Sequence, residues 1–382
     1  GCLVLRHDNE TAGGIPKGCR LFKIRSDRHL SRQETDSLLI DIRRREMNTF
    51  YSKLKNALES SEGDIWVQTV LEGEHAGEKR LLINPAKDEM KSYESILGNH
   101  RIFRERIGRT PKLIICGAGH VSMPIIRMGK MLGFVVTVIE DRPKFADNAR
   151  AAGADQVFCL PFQEGLADIP GDSDSWFVIV TRGHRYDTEC LESILQKCYA
   201  YVGMMGSRRR TAIVKDQLEA KGISREVLDA VHTPIGLKIG AETPEEIAVS
   251  VMAEIIQVKN ARSEEGGGKA GGYSDEMLAC ILGTGSNGVN VRKQNKILAT
   301  IISRKGSAPR GTGTKMLILE DGTTIDTIGG GCIESEIIQK ALLMMRTGKP
   351  DFQICTVDMT ADQAEDEGMV CGGVVEVMLE RI

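Results

Sequence analysis

From Lys112 onward the chain repeats one pattern: a short apolar run, a polar turn, then a stretch with helical spacing. The apolar runs are KLIIC (112–116), FVVTVIED (134–141), QVFCL (156–160), WFVIVT (176–181) and AYVGMM (200–205). Runs this short and this rich in Val and Ile, separated by helices, predict strands of a parallel sheet covered on both faces. The fold class expected is α/β, a Rossmann-like parallel sheet joined to a smaller α+β domain. Before this block, residues 47–62 place Phe50, Leu54, Ala57 and Leu58 on one helical face, and IWVQTVL (65–71) and KRLLIN (79–84) read as two strands. Ser31 followed by Glu34 predicts a capping box at the start of an earlier helix.

The pattern divides the chain. Residues 1–46 form an unassigned extension. Residues 47–108 read as helix, strand, glycine loop and strand. Residues 109–260 carry the alternating block. ARSEEGGGKAGGY (261–273) is polar and glycine-rich and reads as a linker, and a last block spans 274–382. TVLEGEHAGEKRLLI (69–83) echoes TIISRKGSAPRGTGTKMLIL (300–319), so the 47–108 segment is expected to be a degenerate half-repeat of the last block.

Composition narrows the chemistry by exclusion. The net charge is −3 and aromatics make up 4% of the 382 residues. Neither a basic surface nor stacking platforms for nucleic acid are therefore expected. No apolar run approaches the roughly 20 residues of a membrane span. No basic stretch followed by an apolar core opens the chain, so no export leader is expected. The ten cysteines include no CxxC pair, which disfavours a zinc ribbon or a disulfide scaffold and fits free thiols in a cytoplasmic setting.

GAGHVS (117–122) follows a strand and opens a helix. Gly117 suits the tight turn and Gly119 lets backbone N–H groups face a phosphate. Glu140, with Asp141 beside it, stands where a ribose-binding acid is expected. His120 sits within the turn, available for a phosphate contact or acid–base work or, equally, as a helix cap. Ser207 and Arg208 in GSRRR (206–210) fall on the same rim and suit a phosphate. A metal held by His120, His184 and Asp187 is a weaker alternative. GTGSNG (283–288) matches the glycine spacing better but leads into a strand, so no helix N-terminus faces a ligand there.

The most specific chemistry lies in the last block, in SAPRGTGTKM (307–316), IGGGCIES (328–335) and MVCGG (369–373). Arg310 offers a planar fork for an anion and Lys315 a second cation. Gly330, Gly331, Gly372 and Gly373 allow close backbone approach. Cys332 and Cys371 lie in turns, where a thiolate is available as a nucleophile or soft metal ligand. Cys116, Cys159 and Cys280 sit among apolar residues read as core strands and are expected to be buried, and Cys355 is expected to be structural.

These blocks together, with VIEDRPKFA, TRGHRYD, VGMMGSRRR and VHTPIGLKIGAETPEEIAVSVMAEI, resemble the XdhC/CoxI family of accessory proteins for molybdenum hydroxylases such as xanthine dehydrogenase. The resemblance covers about residues 47–382. In the family's usual order the cysteine-bearing domain precedes the Rossmann domain, whereas here it follows. The resemblance implies a cytoplasmic chaperone rather than a turnover enzyme. It implies binding of molybdenum cofactor (molybdopterin), help with its sulfuration and insertion, and Cys371, then Cys332, as the residues contacting the metal or relaying sulfur. The implied partners are an apo molybdenum hydroxylase, a cysteine desulfurase and a second copy in a homodimer. Two alternatives stay open on the residues alone: an NAD(P)-dependent oxidoreductase, and a non-catalytic nucleotide-sensing module.

Overall fold

The computed structural model describes residues 3–6, 20–23, 47–86, 101–264, 272–284, 295–306, 310–358 and 373–382. The expected capping box at Ser31 lies outside them, as do the SAP of SAPRGTG, the glycines of 265–271, most of GTGSNG, and Cys371 and Gly372. The chain divides into two units, Gly1–Ser52 and Lys53–Ile382. In the first, β1 (Leu3–Arg6) and β2 (Arg20–Lys23) pair antiparallel. A helix over 47–60 follows the expected amphipathic spacing, with Leu54 and Ala57 buried.

Next come β3 (Ile65–Val70), β4 (Lys79–Ile83) and β5 (Ile102–Ile107), a three-stranded antiparallel sheet with β3 in the centre. The sequence reading supplied β3 and β4 and overlooked β5. IFRERI sets three charges in six residues and lacks an apolar run; Glu105 and Arg106 are nevertheless buried at 2% and 8% exposure.

The central sheet contains β6 (Lys112–Cys116), β7 (Val135–Ile139), β8 (Gln156–Phe158), β9 (Ser175–Ile179) and β10 (Tyr201–Met204), all parallel in the order β10-β9-β6-β7-β8. One apolar cluster, including Leu113, Ile115, Val136 and Val178, lies on one face. A second, including Ile114, Ile139, Phe177 and Val202, lies on the other, as a doubly covered sheet requires. Helix Ser122–Met131 sits close to the sheet because Gly129 leaves room: a Cβ there would stand 2.7 Å from the Leu113 Cδ2. Helix Pro244–Glu264 packs on Ser122–Met131 and extends four residues into the segment read as linker.

The last domain begins with helix Asp275–Leu282, capped by Ser274 through the Met277 N–H and closed by Gly283 at φ 67°. Cys280 therefore lies on a helix and not among strands, since MLACIL is too short to separate the two by periodicity. Cys280 and Cys116 are buried; Cys159 is half-buried. Then β11 (Lys296–Lys305), β12 (Lys315–Leu319), β13 (Thr324–Ile325), β14 (Phe352–Asp358) and β15 (Val374–Arg381) form a sheet ordered β13-β12-β11-β15-β14. Helix Gly331–Thr347 covers one face, burying Ile333, Ile337, Ala341 and Met344 against β11, β14 and β15. Cys355 is buried in β14.

Candidate functional site

The strand order reverses between β6 and β9, and a crevice of about 380 Å³ opens beyond the carboxyl ends of these strands. Its floor is the turn after β6. Gly117 adopts φ +107°, and a Cβ there would stand 2.6 Å from the Val180 carbonyl oxygen, so only glycine joins the two strands this closely. At Gly119 an added Cβ meets nothing within 4 Å: the backbone faces open space. Ser122, where the nucleotide-binding turn usually has Gly or Ala, is buried and donates its hydroxyl to the Gly117 carbonyl at 2.8 Å, closing the turn. The Ser122 N–H, first of the helix, donates to the Gly119 carbonyl at 3.1 Å, and Gly119 through Ser122 line the crevice. His120 lies exposed on the rim.

The acid expected to hold a ribose is already engaged. Glu140 is fully buried and accepts from the Ala118 N–H at 2.7 Å and from the Arg142 Nε at 2.7 Å. Asp141 accepts both terminal nitrogens of Arg182 at 2.6 and 2.7 Å, which holds its carboxyl below the usual carboxylate range. Arg142 stacks on Phe145 and Arg182 on Tyr186. Both arginines line the crevice, along with Phe145, Phe162, Thr181 and Met205. The sequence reading missed them; a cation just after the acidic pair at a strand end was the available signal.

Ser207 caps helix Arg208–Ala220 through the Arg210 N–H, and Arg208 is exposed. His184 begins helix His184–Ile194 and is exposed. Asp187 is buried, bonded to the Thr181 hydroxyl at 2.6 Å and to Arg210, and burial raises its pKa. Its carboxylate thus locks the loop after β9 to the next helix. Among the described residues no three His, Cys, Asp or Glu side chains converge as a metal site.

In the last domain the strand register brings three turns to one end of the sheet. Lys305, where β11 ends, pairs with Val374, where β15 begins, so the chain leading to Arg310 and the chain arriving from Gly373 emerge side by side. β13 runs back antiparallel to β12, with Ile325 opposite Leu317, and delivers the Ile328–Gly331 turn to that same end. Arg310 is exposed there. Gly330 has φ +76° with open space at its Cβ position, and Gly331 starts the helix. Cys332 is the second residue of that helix; its side chain is outside the described set. The Glu334 carboxylate takes the Ile328 N–H at 3.1 Å, the Gly329 N–H at 3.3 Å and the Thr327 hydroxyl, so part of the turn's donor set is used internally.

Lys315 is elsewhere. Its ammonium is buried, donating to Glu105 on β5 and to the Gly313 carbonyl at 3.2 Å, over the Tyr273 ring; burial lowers its pKa. It joins two sheets and does not stand beside Arg310 as a second exposed cation.

A parallel sheet with a glycine turn at its switch point, a crevice lined by Arg142 and Arg182 and an antiparallel domain with a glycine turn define the class: a Rossmann-domain protein with an appended α+β domain. Residues 113–255 match the XdhC Rossmann domain and residues 292–358 match the XdhC and CoxI family. The chain belongs to the XdhC/CoxI family. It is similar to the Escherichia coli (strain K12) protein YqeB, 32% identical over 51% of this chain and 36% of that protein. It is also similar to a probable xanthine dehydrogenase subunit from Bacillus subtilis (strain 168), 34% identical over 41% of this chain and 46% of that protein. The chain thus spans less than half the length of these relatives. A solved structure from Bacillus halodurans, described as a xanthine dehydrogenase, aligns over 55% of this chain and 66% of its own with 22% identity and a TM-score of 0.43, too distant to carry an argument. Among the described residues no helix is long and apolar enough to cross a membrane.

Proposed function

We propose that this chain is an accessory protein for a xanthine dehydrogenase-type molybdenum hydroxylase, and that it binds molybdenum cofactor for sulfuration and insertion into the apo-enzyme. The observation that carries the reading is the gathering of the Arg310 loop, the Gly329–Gly331 turn and Gly373 at one end of the last sheet. The donor set fits the anionic part of such a ligand. Arg310 supplies an exposed guanidinium and Gly330 supplies open backbone that a Cβ would narrow. Bound there, the cofactor would contribute an anionic pterin phosphate and a soft metal that accepts sulfur.

In this reading Arg310 holds the phosphate and Gly330, Gly331, Gly372 and Gly373 let backbone approach the ligand. Cys371 is the first candidate to contact the metal or relay sulfur, with Cys332 second. Cys332 gains reactivity from its place at a helix N-terminus, which favours thiolate. A cysteine desulfurase is the sulfur donor this chemistry calls for.

The crevice of the Rossmann domain supports a second ligand. Arg142, Arg182 and the open backbone at Gly119 suit a phosphate-bearing nucleotide, NAD(P) among them, or the distal phosphate of a pterin. Protein purified from a molybdenum-replete host tests both sites through its absorbance spectrum, metal content and extractable pterin. Molybdenum with pterin, lost on Cys371→Ala or Cys332→Ala, is the expected result. Full retention and full client activation in both variants would sink the assignment of the thiols. Nicotinamide without molybdenum would favour an oxidoreductase if turnover accompanies it, and a sensing module if not.

A further inference from the structure

The sheet β3–β5 and the sheet β11–β15 meet through a set of residues that repeats itself. On β3, Thr69 lies opposite Lys79 of β4, and Val67 opposite Glu105 of β5. On β11, Thr300 lies opposite Lys315 of β12, and Leu298 opposite Glu380 of β15. The triplet Glu-Arg-Ile at 105–107 recurs at 380–382. The two sheets therefore place the same Thr, Lys and Glu at the same lattice points.

Across the interface the pairs are reciprocal. Lys315 bonds Glu105, and Lys79 stands 2.9 Å from Glu380. The four side chains are 1%, 3%, 4% and 2% exposed in that order. Beside them Leu71, Phe103, Ile302 and Met378 form a small apolar cluster, again two residues from each copy at matching points. Residue i of one copy touching residue j of the other, while j touches i, is the signature of a two-fold interface between identical units.

We propose that the chain carries both halves of a two-fold dimer interface within itself, the half-repeat standing in for a second copy, so that it works as a single-chain unit closed to another chain on this face. The proposal concerns assembly and stands apart from the identity of the ligand. The pairing of copies that the family resemblance implies is thus supplied internally.

One contact departs from symmetry in the direction the proposal requires. Arg101 and Glu376 occupy equivalent positions just ahead of Phe103 and Met378, and they face each other, with Arg101 Nη1 3.2 Å from the Glu376 Oε1. In a dimer of identical copies that position would meet itself and set like charges together. Here the two copies have opposite charges, which favours pairing within the chain over pairing with the same copy of another chain.

Light scattering on this 382-residue chain, coupled to size exclusion, tests closure. A particle of one chain, 41.9 kDa, is expected, and a two-chain particle would overturn the proposal. The pairing itself is read from thermal unfolding of Arg101→Glu and of Arg101→Glu combined with Glu376→Arg. The single variant should lower Tm by roughly 2–4 °C and the charge swap should recover most of it. A swap no more stable than the single variant would refute the assigned contact.

Discussion

The two copies of the hairpin share a scaffold and differ in what hangs from it. In the half-repeat, β3 and β4 are joined by Leu71–Glu78, a short loop whose His75 pairs with Glu78 at 2.7 Å. In the last domain the same connection carries Arg310 and its glycines, and β13 and β14 flank the three strands equivalent to β3, β4 and β5. What the copies keep in common is the interface: threonine, lysine, glutamate and the apolar pair. The contacts that hold the copies together are therefore shared, whereas Arg310 and the Gly329–Gly331 turn belong to the last domain.

If that separation is right, the equivalent lysines should be equally important to stability although only one copy carries the loops. Lys79→Met and Lys315→Met each leave a buried carboxylate short of its cation and should each cost about 3–5 kcal/mol in denaturant unfolding. Removing both members of a pair, as in Lys315→Met with Glu105→Leu, should restore most of the loss. Markedly unequal costs for the two lysines would break the equivalence.

The Rossmann turn allows the same separation of scaffold from ligand contact, two residues apart. Gly117→Ala forces a Cβ into the Val180 carbonyl at a positive φ and should destabilise by about 1–3 kcal/mol. Gly119→Ala meets no neighbour and should leave stability within about 0.5 kcal/mol while weakening any phosphate ligand of the crevice. Equal stability of the two variants would contradict the geometry.

The smallest effect concerns the rim. Asp141 is held below its ordinary pKa by the hydrogen bond to Arg182. A depressed pKa stabilises the fold above the unfolded value, and that contribution is lost as pH falls through the folded one. The pair is partly exposed, so Asp141→Asn should remove less than about 1 kcal/mol near neutral pH and flatten the acid limb of the stability curve.

How far the sequence revealed these features follows from where the information lies. β6 to β10 were legible because each lies in a local, mostly apolar run, and the turn after β6 because Gly117 has a steric reason that spacing alone conveys. β5 was not, because Glu105 and Arg106 are buried only through partners far along the chain, Lys315 for one and Asp174 for the other. For the same reason Lys315, adjacent in sequence to the Arg310 loop, read as a ligand group when its partner is on another sheet. Glu140 matched its motif, and Arg142 two residues on was the local sign that its carboxylate is occupied, whereas its bond from the Ala118 N–H comes from a distant point of the chain.

The central claim is that the ligand site belongs to the loops of the last domain and that the half-repeat serves only as scaffold. Molybdenum and pterin bound per chain, measured on the purified wild type, Arg310→Ala and His75→Ala, test it most directly. The account predicts at most one equivalent per chain in the wild type, loss of most of it in Arg310→Ala, and no loss in His75→Ala. Retention in Arg310→Ala together with loss in His75→Ala would contradict it.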